Sequence, residues 1–286
     1  MKKYSEIIND LANQIPKPIV DISIPRKRGT APTQAFSEFL SNREQGDWAE
    51  DLVNQASSLL LKEYDVVKYG KTDDIVAGDD RFKEFYNEYQ DELDTIGKRP
   101  DILIFKKNII DKKNISHVDK GELDAIVPKA IMGWEIRSSS YLTKKYKPSK
   151  TSKRSFLSFT PKVEDILVIL KWVSKYNVPH FYVQVFFDAV YIISFQKILE
   201  IIIDPKNLKK LFFIEKNAKN QMKSTIHIDI SQGSKFGDII DFPAHESVRK
   251  ELSAGRLLHH VKFKGGTLKI DEKVLKKAIE ESTRYQ

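Results

Sequence analysis

Two acids and a guanidinium have the types and spacing for chemistry. Asp101 lies at the head of Arg99-Pro100-Asp101-Ile102-Leu103-Ile104-Phe105, and Glu135 lies in Gly133-Trp134-Glu135-Ile136-Arg137-Ser138-Ser139. Both runs read as strands. The first is apolar enough for burial on both faces, and Pro100 fits its opening position. Side chains two apart in a strand share a face, so Glu135 and Arg137 point the same way, and Asp101 joins them if the strands pair. Two carboxylates beside a cation suit metal-assisted hydrolysis of a phosphodiester. Mg2+ takes a few carboxylate oxygens and keeps its other positions for water and phosphate. The metal makes its water acidic and neutralises the attacked phosphate, while the cation stabilises the charge that develops. The plain alternative is an Asp capping a turn and a Glu paired with Arg137.

Further candidates surround this set. Glu50 is an added acid, or else the N3 glutamate of a capping box begun by Asp47. A basic loop carrying Lys144, Lys145, Lys147, Lys150, Lys153 and Arg154 follows the Glu135 strand. It would contact DNA phosphates and make affinity salt-dependent, unless it is only a solvated loop. Arg26, Lys27 and Arg28, in a Pro-rich stretch, would form a DNA-gripping arm or an ordinary surface loop. Gln184 points at the site or is a satisfied core glutamine. Phe82, Phe85, Tyr86 and Tyr89 form a helical stripe for core or dimer contact. The six histidines lack metal-ligand spacing, with His259 and His260 facing opposite sides of a strand, and no phosphate-binding GxxxxGK[ST] loop occurs.

The elements that must position these residues are readable from periodicity. Residues 1–15 form a helix with Ile7, Ile8, Leu11 and Ile15 on one side. Residues 36–61 are helical with a break or kink at Gly46, Asp47 capping the second half. Strands cover 64–69, 99–105, 132–139, 180–188 and 190–195, with a turn at Asp188-Ala189; helices cover 81–93 and 161–176, and 106–127 is a surface connection. Another helix begins at about Lys197. Residues 224–230 alternate as a half-exposed strand, 261–264 and 267–270 form a hairpin around Gly265-Gly266, and 272–282 close the chain as a helix capped by Asp271. The organisation expected is a single compact unit: N-terminal helix and basic arm (1–34), α/β core with a mixed central sheet flanked by helices (35–216), and a C-terminal extension packed on it (217–286).

Composition narrows the class. The chain has 286 residues and a net charge of +8, which favours a polyanionic partner. It has no cysteine, which excludes a disulfide framework and a thiolate metal site and suits the reducing cytoplasm. The N-terminal residues form an amphipathic helix rather than a signal peptide's apolar run, and no stretch is apolar enough for a bilayer.

Pro100-Asp101 followed by Glu135-Ile136-Arg137 resembles the PD-(D/E)xK nuclease motif, within a helix–strand–strand–helix–strand order spanning about residues 47–188. Glu50 resembles the extra acid that many such nucleases carry on the leading helix. The strings WEIRSSSYL (134–142), FTPKVEDILVILKWVSKYNVP (159–179) and YVQVFFDAVYIISF (182–195) are similar to AccI-type restriction endonucleases. The resemblance implies a PD-(D/E)xK restriction-endonuclease-like α/β core. It also implies a Mg2+-dependent type II enzyme acting as a homodimer on a short palindrome in double-stranded DNA, alongside a cognate DNA methyltransferase. Asp101, Glu135 and the backbone carbonyl of Ile136 would hold the metal.

One departure stands out. Arg137 occupies the usual lysine position, and arginine cannot act as a general base. It therefore orients phosphate, or a lysine such as Lys153 or Lys162 has taken over the role, or the site is inert. Two other functions stay open: a repair or structure-specific nuclease of the same fold, and a DNA-binding protein without activity.

Overall fold

The computed structural model describes residues 2–71, 75–148, 156–216, 223–253 and 255–285. Helix α1 (Tyr4–Ala12) buries Tyr4, Ile8 and Ala12, a four-residue repeat that presents one stripe to the core. Helix α2 (Ser37–Leu60) runs unbroken for 24 residues. The expected break at Gly46 is therefore incorrect, and Asp47 does not cap a helix. Gly46 costs about 1 kcal/mol in a helix interior. Burial of Gln45, Trp48, Ala49, Leu52 and Val53 around it outweighs that.

Next come β1 (Tyr64–Lys68), α3 (Phe82–Thr95) and β2 (Ile102–Lys106). Residues 106–127, expected as a plain connection, contain α4 (Lys120–Ile126). Then follow β3 (Met132–Ser138), the short β4 (Ser158–Phe159), α5 (Val163–Tyr176), β5 (His180–Val185), β6 (Ala189–Ser194) and α6 (Phe195–Ile203). The C-terminal third holds β7 (Phe212–Lys216), β8 (Ser224–Asp229), β9 (Ser234–Asp241), β10 (Ala244–Glu251), β11 (Leu257–Lys264), β12 (Thr267–Ile270) and α7 (Glu272–Thr283). Asp271 caps α7 as expected, accepting from the amides of Lys273 and Val274.

Seven strands form the central sheet in the order β1-β2-β3-β5-β6-β9-β12. Only β3 and β5 run parallel, joined by a crossover through α5, so the sheet is mixed. Helices cover both faces. α1, α5 and α6 pack on the side of Leu103, Phe105 and Tyr182. α2 and α7 pack on the side of Ile104, Trp134 and Val183. Residues 217–286 supply two strands of this sheet, so the C-terminal region is continuous with the core.

The hairpin expected around Gly265-Gly266 does not form. β12 pairs with β9, and β11 pairs with β10 as a separate two-stranded ribbon. The two glycines, both at positive φ, turn the chain from one sheet into the other.

Candidate active site

Asp101 stands one residue before β2. The register Ile102↔Trp134, continued by one step, sets it opposite Glu135 on β3. Its amide donates to the Trp134 carbonyl at 2.9 Å, and its carboxylate Oδ2 accepts from the Ile136 amide at 2.6 Å. Two glycines permit the approach. A Cβ on Gly133 would stand 2.6 Å from Pro100 Cγ, and one on Gly70 would stand 3.0 Å from Asp101 Cα. The segment before Asp101 is anchored by Arg99, whose buried guanidinium reaches Glu92 on α3 at 2.7 Å and lies over the Tyr69 ring at 5.2 Å.

Glu135 is buried at 2% side-chain exposure and is held by two cations. Lys98 Nζ lies 2.5 Å and Arg137 Nη2 2.8 Å from its Oε1. The same two groups each lie 2.8 Å from Oδ2 of Asp165, in the first turn of α5. Burial works against charge on Glu135, but Lys98 and Arg137 outweigh it and hold the carboxylate below its usual range. Burial also opposes charge on Lys98 and Arg137, yet the facing carboxylates keep both firmly protonated. Asp101 lacks such a partner: burial, then the nearby Glu135 charge, push it up to about 7. Burial likewise raises Glu50, with Asp101, Asp47 and Glu135 adding repulsion.

These groups line an open cleft of about 490 Å3, together with Asn42, Arg43, Gly46, Tyr89 and Lys162. The structure thus gathers Asp101, Glu135, Ile136, Arg137 and Glu50. Glu50 sits in the interior of α2, so the capping-box alternative does not apply to it. Lys162 also lines the cleft. Lys98 and Asp165 belong to the cluster and were not singled out by the sequence; Tyr89, expected in a stripe for core or dimer contact, lines the cleft as well. Lys98 lay in plain view three residues before Asp101, whereas Asp165 reads as an ordinary first-turn acid of a helix.

The other candidates lie elsewhere. Arg26 pairs with Asp94 at 3.0 Å and Gln90 at 2.7 Å, and Arg28 pairs with Asp91 and Asp94 at 2.7 and 2.6 Å, so this stretch is laid along α3. Lys27 is exposed beside them. Lys144, Lys145 and Lys147 are exposed beyond the end of β3, where Asp188 accepts from the Thr143 and Lys144 amides. Lys150, Lys153 and Arg154 lie outside the described residues. Gln184 is a core glutamine: it accepts from Thr160 Oγ1 at 3.3 Å and donates to the Arg137 carbonyl at 3.4 Å.

The chain matches the AccI restriction endonuclease family over residues 1–153 and 149–284, nearly its whole length. It belongs to the AccI restriction endonuclease family. No curated protein and no solved structure matches it. As a member of a restriction endonuclease family, the chain is a nuclease whose substrate is DNA. Among the described residues no helix is long and apolar enough to cross a membrane, and no three acids or histidines are grouped to hold a metal by side chains alone. The cleft nonetheless fits a divalent ion. Among the described residues Oε2 of Glu135 is buried without a hydrogen-bond partner, and Asp101 and Glu50 crowd the same opening with poorly compensated negative charge. Mg2+ asks for one or two carboxylates and completes its shell with water and phosphate oxygens.

Proposed function

We propose that this AccI-family chain is a Mg2+-dependent type II restriction endonuclease with a PD-(D/E)xK core. It hydrolyses double-stranded DNA at a short palindromic site. The observation that carries the reading is the apposition of Asp101, just ahead of β2, and Glu135, within the paired strand β3, in an open cleft, with Glu135 Oε2 unpartnered among the described residues. Asp101, Glu135 and the Ile136 carbonyl would hold the metal. Mg2+ supplies neutralisation of the attacked phosphate and a water acidic enough to attack at neutral pH.

The chain's own groups do the rest. Lys98 and Arg137 both keep their protons, so neither accepts one from water; they hold the scissile phosphate and offset the charge that grows on it. Asp165 keeps the two cations in place between itself and Glu135. Tyr89 closes one wall of the cleft, and Glu50 faces the metal-binding edge from α2. Cutting both strands of a palindrome requires two such sites related by a two-fold axis, hence a homodimer. A cognate methyltransferase would protect the host's own sites.

The test is incubation of the purified chain with long mixed-sequence duplex and Mg2+, beside Asp101→Ala and Glu135→Ala. Discrete fragments from the parent alone support the reading, and sequencing their ends gives the site. Intact DNA in every tube, with DNA binding retained, would leave a binding protein with an inert nuclease fold.

A further inference from the structure

The β10–β11 ribbon belongs to neither of the other sheets. A lone two-stranded ribbon is marginal in water, and this one is stabilised from one side by α2. Leu258 packs with Leu40 and Ala35, the Val261 amide donates to Ser41 Oγ at 3.1 Å, and His260 lies 3.6 Å from Glu44. Trp48 Nε1 donates to the Gly265 carbonyl at 2.7 Å, just past the end of the ribbon. Each strand is eight residues long, about 25 Å at the usual rise.

The opposite face packs on the core only at its end, where Phe263 meets Trp48 and Phe187; the stretch around Arg249 and His259 is open. Arg249 and His259 stand directly across from each other in the register, flanked by Ser247 and Val261. Arg249, His259 and Ser247 are exposed, and Arg249 and His259 form no hydrogen bond or ion pair among the described residues. The ribbon segment 244–264 carries five Lys and Arg against two Glu; Lys250, Lys262 and Lys264 are paired with Asp79, Glu44 and Glu246, which leaves the Arg249 guanidinium as the exposed charge of the open stretch. An exposed, uncommitted guanidinium beside an imidazole complements a polyanion that also presents hydrogen-bond acceptors.

Position supports the same conclusion. Along α2, Ser41, Glu44 and Trp48 meet the ribbon, while Arg43, Gly46, Asp47 and Glu50 line the catalytic cleft on the other side of the helix. Ribbon and cleft are therefore separated by about one helix diameter, ~10–12 Å, or roughly three base-pair steps of a duplex.

We propose that the β10–β11 ribbon enters the major groove of the bound DNA and that Arg249 and His259 read base edges there. The proposal rests on the nuclease reading for the placement of the duplex. The major groove, about 12 Å wide, admits a two-stranded ribbon, and arginine paired with guanine is the commonest specific contact there. Base readers set preference among sequences; phosphate contacts set affinity for all of them.

The experiment does not require cleavage. The full chain selects from a pool of 30-base-pair duplexes with randomised centres, in Ca2+, and the bound fraction is sequenced. Arg249→Ala, His259→Ala and the double variant are run beside it, with sedimentation of each protein. The parent should enrich a motif. The variants should bind the unselected pool as the parent does and sediment alike, but lose about tenfold or more of the preference at one or more motif positions. Arg249→Lys should recover only part of it. Three results overturn the proposal: a parent that enriches no motif, variants that keep the parent's preference within twofold, or variants that change oligomeric state, which would assign the face to a second copy. Failure to cut DNA in Mg2+ while motif selection survives would instead remove the nuclease reading and leave the ribbon's role standing.

Discussion

Lys98 and Arg137 grip the same pair of carboxylates: each reaches Oε1 of Glu135 and Oδ2 of Asp165 within 2.8 Å. Lys98 comes from the segment before β2 and Arg137 from β3, so two chain segments converge on one patch of positive charge. Arg137 at the usual lysine position therefore does not leave the site without a lysine. Lys98→Met should lower the cleavage rate constant by about 10²–10³, the usual loss when one preorganised donor is removed. Lys98→Arg should restore part of it. Single-turnover cleavage reads the effect, and a Lys98→Met rate within threefold of the parent would assign the phosphate to Arg137 alone.

The proposed role of Asp101 as a metal ligand can be tested without DNA. Its carboxyl is pushed up to about 7, so cation and proton compete for it near neutrality. Mg2+ at a hundred times its dissociation constant stabilises a folded protein by about 2.7 kcal/mol, several degrees in Tm for a chain of this size. The Mg2+-induced rise over EDTA should be full at pH 8, smaller at pH 6, and absent in Asp101→Asn. Scanning calorimetry at the two pH values checks this; an equal rise in Asp101→Asn would place the ion elsewhere.

The Arg99–Glu92 pair is buried on both sides. Removing one partner leaves the other charged and enclosed, which costs about 3–5 kcal/mol. Arg99→Met should lower stability by that order in urea titrations. Glu92→Gln should cost as much, because the enclosed Arg99 guanidinium cannot lose its proton. Because Arg99 lies between Lys98 and Asp101, Arg99→Met should also weaken Mg2+ binding below the melting range.

His180 adds a pH dependence of its own, opposite in sign to that of the raised Asp101 carboxyl. Burial among Trp172, Tyr182 and Phe195 lowers its ring from 6.5 to about 4, and neither ring nitrogen has a hydrogen-bond partner among the described residues. The folded protein keeps it neutral while the unfolded chain protonates it below about 6.5. Its contribution is therefore whole above 6.5 and is lost as pH falls toward 4. At pH 5 the loss is about 2 kcal/mol. His180→Phe should gain roughly that much more at pH 5 than at pH 8. Equal gains at both pH values would show that packing rather than protonation governs the substitution.

The periodicity of residues 99–105 and 132–139 was enough to mark two strands and to put Glu135 and Arg137 on one face, because alternation in a strand leaves little freedom of face; the pairing that brings Asp101 to Glu135 was a condition of that reading and is met by the register. What stayed hidden depended on contacts between distant segments. Lys98 and Asp165 are unremarkable where they stand and acquire meaning only once the α5 crossover folds one over the other. Gly46 misled because its local preference for a helix end was overruled by burial on both sides. The Gly265-Gly266 pair marked a turn correctly, but glycine pairs do not say which strands they join: the partners of β11 and β12 were chosen by the sheet edges available.

Helix α2 presents the ribbon's seat on one side and Glu50 on the other, on a backbone with no interruption at Gly46. Redocking the ribbon to suit a different DNA sequence would rotate that shared rod and carry Glu50 with it. Divergence of recognition in such an enzyme is therefore channelled into side-chain exchange at outward positions such as 249 and 259, where a new preference can arise without disturbing the cutting machinery.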